Sequence, residues 1–174
     1  ARHEDATGTP SLLNSFEIYS DGRYMYVPNE DNSECILEIP YKGNDEDKIG
    51  IEFASDPSGP QSFFVDGDFI YIGNTINFNI LKYQKDKLVS EIKYDDDLYL
   101  LDLCVIDRVI YILARTYDNE NSRTKTVLNI ISESGDFINQ LDIVNLTGDY
   151  SVYMPPTEIY AYEKRVLMKY EHTG

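Results

Sequence analysis

The chain has 174 residues, within the usual range of about 100–200 residues for one domain with a sizeable core. Fifteen Lys and Arg against 31 Asp and Glu leave a formal net charge of −16. That charge repels phosphate backbones and excludes DNA and RNA as partners, because nucleic-acid affinity rests largely on cationic neutralisation and counterion release. Anionic membrane surfaces are disfavoured by the same repulsion, and the absence of any run of about 20 apolar residues excludes a membrane-spanning helix. Fifteen tyrosines and no tryptophan, with abundant Ile and Val, favour half-buried pleated surfaces.

The chain begins at Ala1 with a polar, aperiodic stretch, ARHEDATGTPS. A polar spacer of this kind fits the region after a removed signal or lipid anchor. The expected arrangement is a flexible segment over 1–15 on an exported protein of the bacterial cell envelope or extracellular space.

Four segments then open a strand pair with one phrase: FEIYSDGRYMYVP (16–28), FFVDGDFIYIG (63–73), CVIDRVIYILA (104–114) and IYAYEKRVLMKY (159–170). In the first copy, strands are predicted near 16–20, 23–28, 35–41 and 48–53, with Asp21-Gly22 at the first hairpin. The second copy places them at 61–66, 68–73, 78–83 and 87–94. Its first connection is Asp66-Gly67-Asp68, where Gly accepts the positive φ of a tight hairpin, and Gln84-Lys85-Asp86 makes a weaker third turn. Tyr26 falls on Tyr71 and Leu37 on Leu81, so two landmarks agree on one period. The third copy gives strands near 99–106, 108–115, 124–132 and 136–144, joined by the longest second connection, 116–122. The fourth supplies only 157–162 and 165–170.

Self-similarity at about 40–50 residues with four short strands per unit is the signature of a β-propeller. A single four-stranded meander has two faces and cannot bury both alone, so such units are packed against one another. The expected fold is all-β, with antiparallel four-stranded blades over 16–53, 59–94 and 99–144 and a partial blade over 157–174. About three and a half blades are present, as part of a larger propeller or as a small ring. An unclosed ring leaves an edge strand that invites homodimerisation.

From Asp56 to Tyr94 the second copy carries Pro57-Ser58-Gly59-Pro60, Val65-Asp66, Ile70-Tyr71-Ile72, Asn77, Ile80 and Lys82-Tyr83. On these residues it resembles the repeat of NHL-type six-bladed propellers. It departs from that pattern at Gly73-Asn74, where an acidic residue is usual, and at Asn79, where Arg is usual. The other copies match in apolar spacing alone. The chain is also similar to the uncharacterised six-bladed propeller proteins exported by gut bacteria. The resemblance implies architecture more than activity.

In propellers the loops joining second to third strands, and those joining successive blades, gather at one mouth. Binding residues concentrate on loops because rigid sheets position them. The first group is 28–34, 73–79 and 115–123; the second is 54–60, 95–98 and 145–156. The candidate ligand-binding residues are Asn29, Asp31, Asn74, Asn77, Asp96, Tyr117 and Asp118. Their oxygens can hold a cation or hydrogen-bond a sugar or peptide, although Asn and Asp also populate turns for conformational reasons alone. Tyr117 stands out because the repeat does not explain its position, whereas Tyr26, Tyr71 and Tyr111 recur on second strands and are read as packing residues.

Catalytic material is scarce. His3 and His172 lie at opposite termini, and no GxSxG nucleophile elbow occurs. Asn29, Asp31 and Ser33 begin like a calcium loop, but Glu34 and Pro40 stand where Gly and Glu are required. Asp95-Asp96-Asp97 reads as a solvated turn unless a divalent ion is bound. Cys35 and Cys104 lack any CxxC or Cys/His cluster and read as structural thiols. Asn145-Leu146-Thr147 is a glycosylation sequon only on a eukaryotic secretory route.

The expected function is a non-catalytic binding or scaffold module for a protein, peptide or glycan, without cofactor, catalytic residue or metal site. The alternatives are a calcium-assisted hydrolase like the lactonases found on six-bladed propellers, which rests on fold analogy, and a structural part of a larger propeller.

Overall fold

The computed structural model describes residues 19–20, 24–28, 35–40, 49–52, 60–75, 77–84, 87–118, 123–143 and 156–170. The predicted N-terminal segment, the first hairpin at Asp21-Gly22 and the turn residues Lys85 and Asp86 lie outside them. The strands are β1 (Tyr19–Ser20), β2 (Tyr24–Pro28), β3 (Cys35–Pro40), β4 (Ile49–Glu52), β5 (Pro60–Asp66), β6 (Phe69–Asn74), β7 (Asn79–Gln84) and β8 (Lys87–Lys93). They continue with β9 (Tyr99–Ile106), β10 (Val109–Asp118), β11 (Arg123–Ser132), β12 (Phe137–Asp142), β13 (Glu158–Tyr162) and β14 (Arg165–Lys169). Four sheets form in chain order: β1-β2-β3-β4, β5-β6-β7-β8, β9-β10-β11-β12 and the two-stranded β13-β14. Each of the first three copies of the repeat is thus one antiparallel meander and the fourth a hairpin, and Tyr26, Tyr71 and Tyr111 all sit on second strands.

The chain divides into two compact units, Ala1–Asn77 with Leu81–Glu91 and Phe78–Ile80 with Ile92–Gly174. In the first, Val65 faces Ile70 and Phe63 faces Ile72 across β5 and β6. With Leu81 and Tyr83 of β7 these side chains form one buried cluster, against which Leu88 packs. Alternation sends Phe64, Tyr71 and Lys82 to the opposite face. There the Lys82 ammonium lies 4.1 Å from the centre of the Phe69 ring and 5.2 Å from that of Tyr71, a cation–π arrangement that accommodates a largely buried Lys. The motif residues Val65, Ile70, Tyr71, Ile72, Ile80 and Tyr83 are therefore packing residues, each buried. Gly67 at φ 59 opens the predicted hairpin, with Asp66 paired to Phe69.

In the second unit burial follows strand order. Leu103 and Val105 of β9, Ile110, Ile112 and Leu113 of β10, and Val127, Leu128 and Ile131 of β11 are buried, while β12 is exposed along most of its length. A fully buried Ile or Leu contributes about 1.5–3 kcal/mol, against about 0–1 kcal/mol for an exposed ion pair such as Arg108–Glu133. The inner three strands, not the surface charges, hold this sheet together.

Three tight connections shape it. Asp107 and Arg108 (φ 50 and 67) and Glu163 and Lys164 (φ 44 and 63) each put two consecutive residues at positive φ, which matches the right-handed strand twist in two-residue hairpins. Between β11 and β12 the Gly135 amide donates to the Ser132 carbonyl at 2.9 Å and the Ser132 amide to the Asp136 carbonyl at 2.9 Å. Gly135 takes φ 86, the left-handed residue of a three-residue loop.

Two predicted boundaries change. The ladder between β10 and β11 runs three residues further than expected, pairing Thr116 with Lys125, Tyr117 with Thr124 and Asp118 with Arg123. Facing β-branched and aromatic residues support pairing here, so Thr116, Tyr117 and Asp118 belong to a strand instead of the loop. Likewise β6 runs through Asn74 and β7 begins at Asn79, so residues 73, 74 and 79 of the predicted 73–79 loop belong to strands.

Candidate functional site

Asn29 and Asp31 lie outside the described residues, as do His3, His172, the 145–147 sequon and most of the 54–60 and 145–156 loops. Asn74 and Asn77 belong to the first unit. Asn74 is fully buried at the end of β6, and its Oδ1 accepts from the Asn77 amide at 3.4 Å. This is the local side-chain bond by which Asn shapes a turn. The carboxamide of Asn74 faces inward, while Asn77 is exposed.

Asp96, Tyr117 and Asp118 belong to the second unit. Asp96 is exposed within a turn closed by the Leu98 amide on the Asp95 carbonyl at 3.1 Å. The Asp95 carboxylate accepts from the Asp97 amide at 3.1 Å. The three aspartates thus form a solvated turn anchored by buried Leu98. Tyr117 is 57% exposed although it sits within a continuous ten-pair ladder, and Asp118 is half-buried beside it. A large aromatic ring is therefore held toward solvent on a stiff support.

A concavity that sequence reasoning missed lies in the same unit. It has a volume of about 350 Å³ and is lined by Tyr94, Asp95, Asn129, Ile131, Phe137 and Gln140. Asn129 on β11 stands opposite Gln140 on β12, and Ile131 opposite Phe137. The register shifts between these pairs, leaving Ile138 as an extra residue of β12. Such a bulge re-aims side chains: positions 137 and 140, three apart, line one concavity. Lys93 and Gly135 also line it, and a Cβ on Gly135 would lie 3.4 Å from the Lys93 carbonyl oxygen. The Tyr94 amide donates to the Phe78 carbonyl at 3.1 Å, and its ring meets Phe78 edge-on at 6.3 Å. Phe78 holds φ 51, an uncommon conformation for a bulky residue. Burial pushes the Tyr94 hydroxyl far above the ordinary tyrosine range, so the ring stays neutral.

Asp102 is buried in the middle of β9, next to a bulge that leaves Leu101 unpaired with β10. Its Oδ1 accepts from the Leu103 amide at 2.8 Å and its Oδ2 from the Ile159 amide at 2.7 Å, tying the β13-β14 hairpin to β9. Cys104 is free and buried. Burial, and then the negative charge of Asp102, push its thiol up to about 12, so it stays protonated and lacks the thiolate a nucleophile needs. Glu158 is lowered. Burial alone would raise it, but hydrogen bonds from Lys169 and Tyr160 and the Lys169 charge outweigh that effect. At the hairpin tips Arg108 pairs with Glu133 at 3.0 Å and Lys164 with Asp107 at 2.8 Å. Among the described residues no group of three or more His, Cys, Asp or Glu is placed to hold a metal ion, and no helix is long and apolar enough to cross a membrane.

No protein-family model and no curated protein matches the chain. Among solved structures it is similar to the glutaminyl cyclase of Myxococcus xanthus, with a TM-score of 0.54 and 12% identity over 88% of this chain and 66% of that one. It is similar to a streptogramin B lyase, with a TM-score of 0.50 and 12% identity over 87% of this chain and 60% of that one. A computationally designed protein, Ika8, aligns with a TM-score of 0.48 at 7% identity, over 87% of this chain and 54% of that one. The chain thus spans less than two thirds of the length of each. The two natural neighbours are β-propellers. With the four-stranded meanders above, they show the fold: all-β, of β-propeller type, with antiparallel blades, three four-stranded and one two-stranded among the described residues.

Proposed function

We propose that the protein is a non-catalytic, exported binding module that holds a peptide, glycan or protein partner through the loop ends of its blades. The observation that carries this reading is Tyr117: a ring 57% exposed on a ten-pair ladder, where a stiff support spares most of the ordering cost of binding. Aromatic residues so placed are typical binding anchors. Asp118 beside it, and Asp96 in the solvated turn, supply acceptors for hydroxyl or amide groups. The protonated state of Cys104 also fits a module without a nucleophile.

The NHL-like repeat of 56–94 belongs to the same proposal, as a statement of ancestry. Glutaminyl cyclase and streptogramin B lyase are enzymes by name, but a likeness at 12% identity carries the scaffold and not the chemistry. Self-association through the edge of β14 is a further part of the proposal, read by light scattering at rising concentration; a monomer throughout would remove it. The binding role is tested by presenting the full chain to glycan and peptide arrays. Specific capture that weakens in Tyr117→Ala supports it, and capture indifferent to that substitution defeats it.

A further inference from the structure

We infer that the outward face of the β13-β14 hairpin docks a second copy of this chain as a following blade, and that Glu158 is the residue that latches it. This rests on the self-association proposed above and assigns it to a sheet face in place of the free edge of β14. The evidence lies in the register of three hairpins. Asp66 pairs with Phe69, Ile106 with Val109 and Tyr162 with Arg165. Each pair closes a two-residue loop, so counting back from it matches positions between hairpins. Phe64 opposite Tyr71, Cys104 opposite Tyr111 and Tyr160 opposite Leu167 are then one position. Phe64, Tyr71 and Cys104 are buried, and Tyr111 is half-buried. Tyr160 and Leu167 are each 47% exposed. A position covered in the second and third blades thus carries an aromatic ring and a leucine to solvent in the fourth.

Two residues earlier, the same count matches Asp102, opposite Leu113, with Glu158, opposite Lys169. Asp102 shows what the position does: its Oδ2 accepts from the Ile159 amide at 2.7 Å, on the first strand of the next hairpin. Alternation puts Cys104 on the same face as Asp102. The join between β9 and β13 is therefore an apolar pair beside a carboxylate that takes a backbone amide of the following strand. Glu158 repeats the carboxylate and Tyr160 with Leu167 the apolar pair. The outward face of the hairpin so continues an interface already made on its other face, where Ile159 is buried. Glu158 accepts from the Lys169 ammonium at 2.8 Å and from the Tyr160 hydroxyl, and the remaining lone pairs of a carboxylate can take a docked amide. A second copy supplies the complement. Its first sheet opens with Tyr19 opposite Tyr26 and Ser20 opposite Met25, the register positions of Phe64 with Tyr71 and Val65 with Ile70, so β1 enters as the same kind of first strand. Arg165 and Lys169 share the outward face with Leu167, a basic border that attracts a copy of net charge −16.

The test is sedimentation velocity of the full chain from low to high micromolar concentration, with hydroxyl-radical footprinting at each step. The expected result is that the mass rises to a dimer or beyond while labelling of Tyr160 and Leu167 falls. Leu167→Glu should weaken association about tenfold or more, the scale of an anchor at the centre of an interface. Glu158→Ala should weaken it about tenfold, the loss of one charge-assisted hydrogen bond. Both positions are solvent-facing in the single chain, so the variants should melt with the parent at the lowest concentration; the footprint of the unsubstituted chain reads the same face should either fail to fold. Association that leaves Tyr160 and Leu167 fully labelled, or is unchanged in Leu167→Glu, overturns the inference and leaves pairing through the β14 edge. Affinity unchanged in Glu158→Ala overturns the latch. A monomer at every concentration removes self-association and this inference with it.

Discussion

Replacing Asp102 with Ala probes the contact that ties the last hairpin to the third blade. The carboxylate is 3% exposed and accepts two backbone amides, Leu103 at 2.8 Å and Ile159 at 2.7 Å. A hydrogen bond to a charged group contributes about 1.5–3 kcal/mol net, and a buried donor left without its partner costs about as much. Taking the lower figure for each bond gives a loss of about 3 kcal/mol, a large share of the roughly 5–15 kcal/mol that stabilises most domains. Of the two bonds, the one to Ile159 spans 57 residues, so the hairpin should loosen first. Amide hydrogen exchange over Glu158–Tyr162 should accelerate roughly a hundredfold, the factor that corresponds to about 3 kcal/mol. Asp102→Asn retains one acceptor oxygen but turns an NH₂ toward a backbone donor, so it should recover half of the loss at most. Exchange within twofold of the parent chain, with an unchanged urea midpoint, would refute the role of Asp102 as a tether.

Cys104 should resist alkylation in the folded chain at mildly alkaline pH and react once urea unfolds it, as read by mass-spectrometric mapping. Rapid labelling of the native thiol would contradict a group pushed up to about 12 by burial and Asp102. Glu158 has a folded-state pKa below its unfolded value, so its contribution is present above the ordinary glutamate range and fades as pH falls through the folded value. Exchange in β13-β14 should therefore quicken on acidification below that range, and Glu158→Gln should flatten the dependence. The effect is small, because a largely exposed pair is screened by solvent.

The strand plan was legible in the sequence because one phrase recurs with turn chemistry at fixed offsets. Gly67 marks its hairpin, and in the first two copies the landmarks Tyr26/Tyr71 and Leu37/Leu81 agree on one period. The end of β10 was harder to read, since Asp118-Asn119-Glu120-Asn121 looks like a loop, whereas cross-strand pairing carries the ladder through Thr116 and Tyr117 to Asp118. Tertiary pairing overrode local composition there. Asn74 shows the same error: a loop-like Gly-Asn pair proved to be the buried end of a strand. The concavity could not be read at all. Phe137 and Gln140 share it only because the bulge at Ile138 shifts the register, and a strict period of two sends positions three apart to opposite faces. Its third side, at Lys93, Tyr94 and Asp95, comes from the preceding repeat, more than thirty residues away in sequence.

The central claim, that a rigidly held Tyr117 anchors a ligand at the blade ends, is tested most directly by measuring the affinity of the full chain and of Tyr117→Ala for the best ligand from glycan and peptide arrays. Melting temperature is recorded beside each titration. The account predicts a loss of tenfold or more, the scale of one aromatic anchor, with no change in melting temperature because the ring is exposed. Equal affinity in the two chains would contradict it.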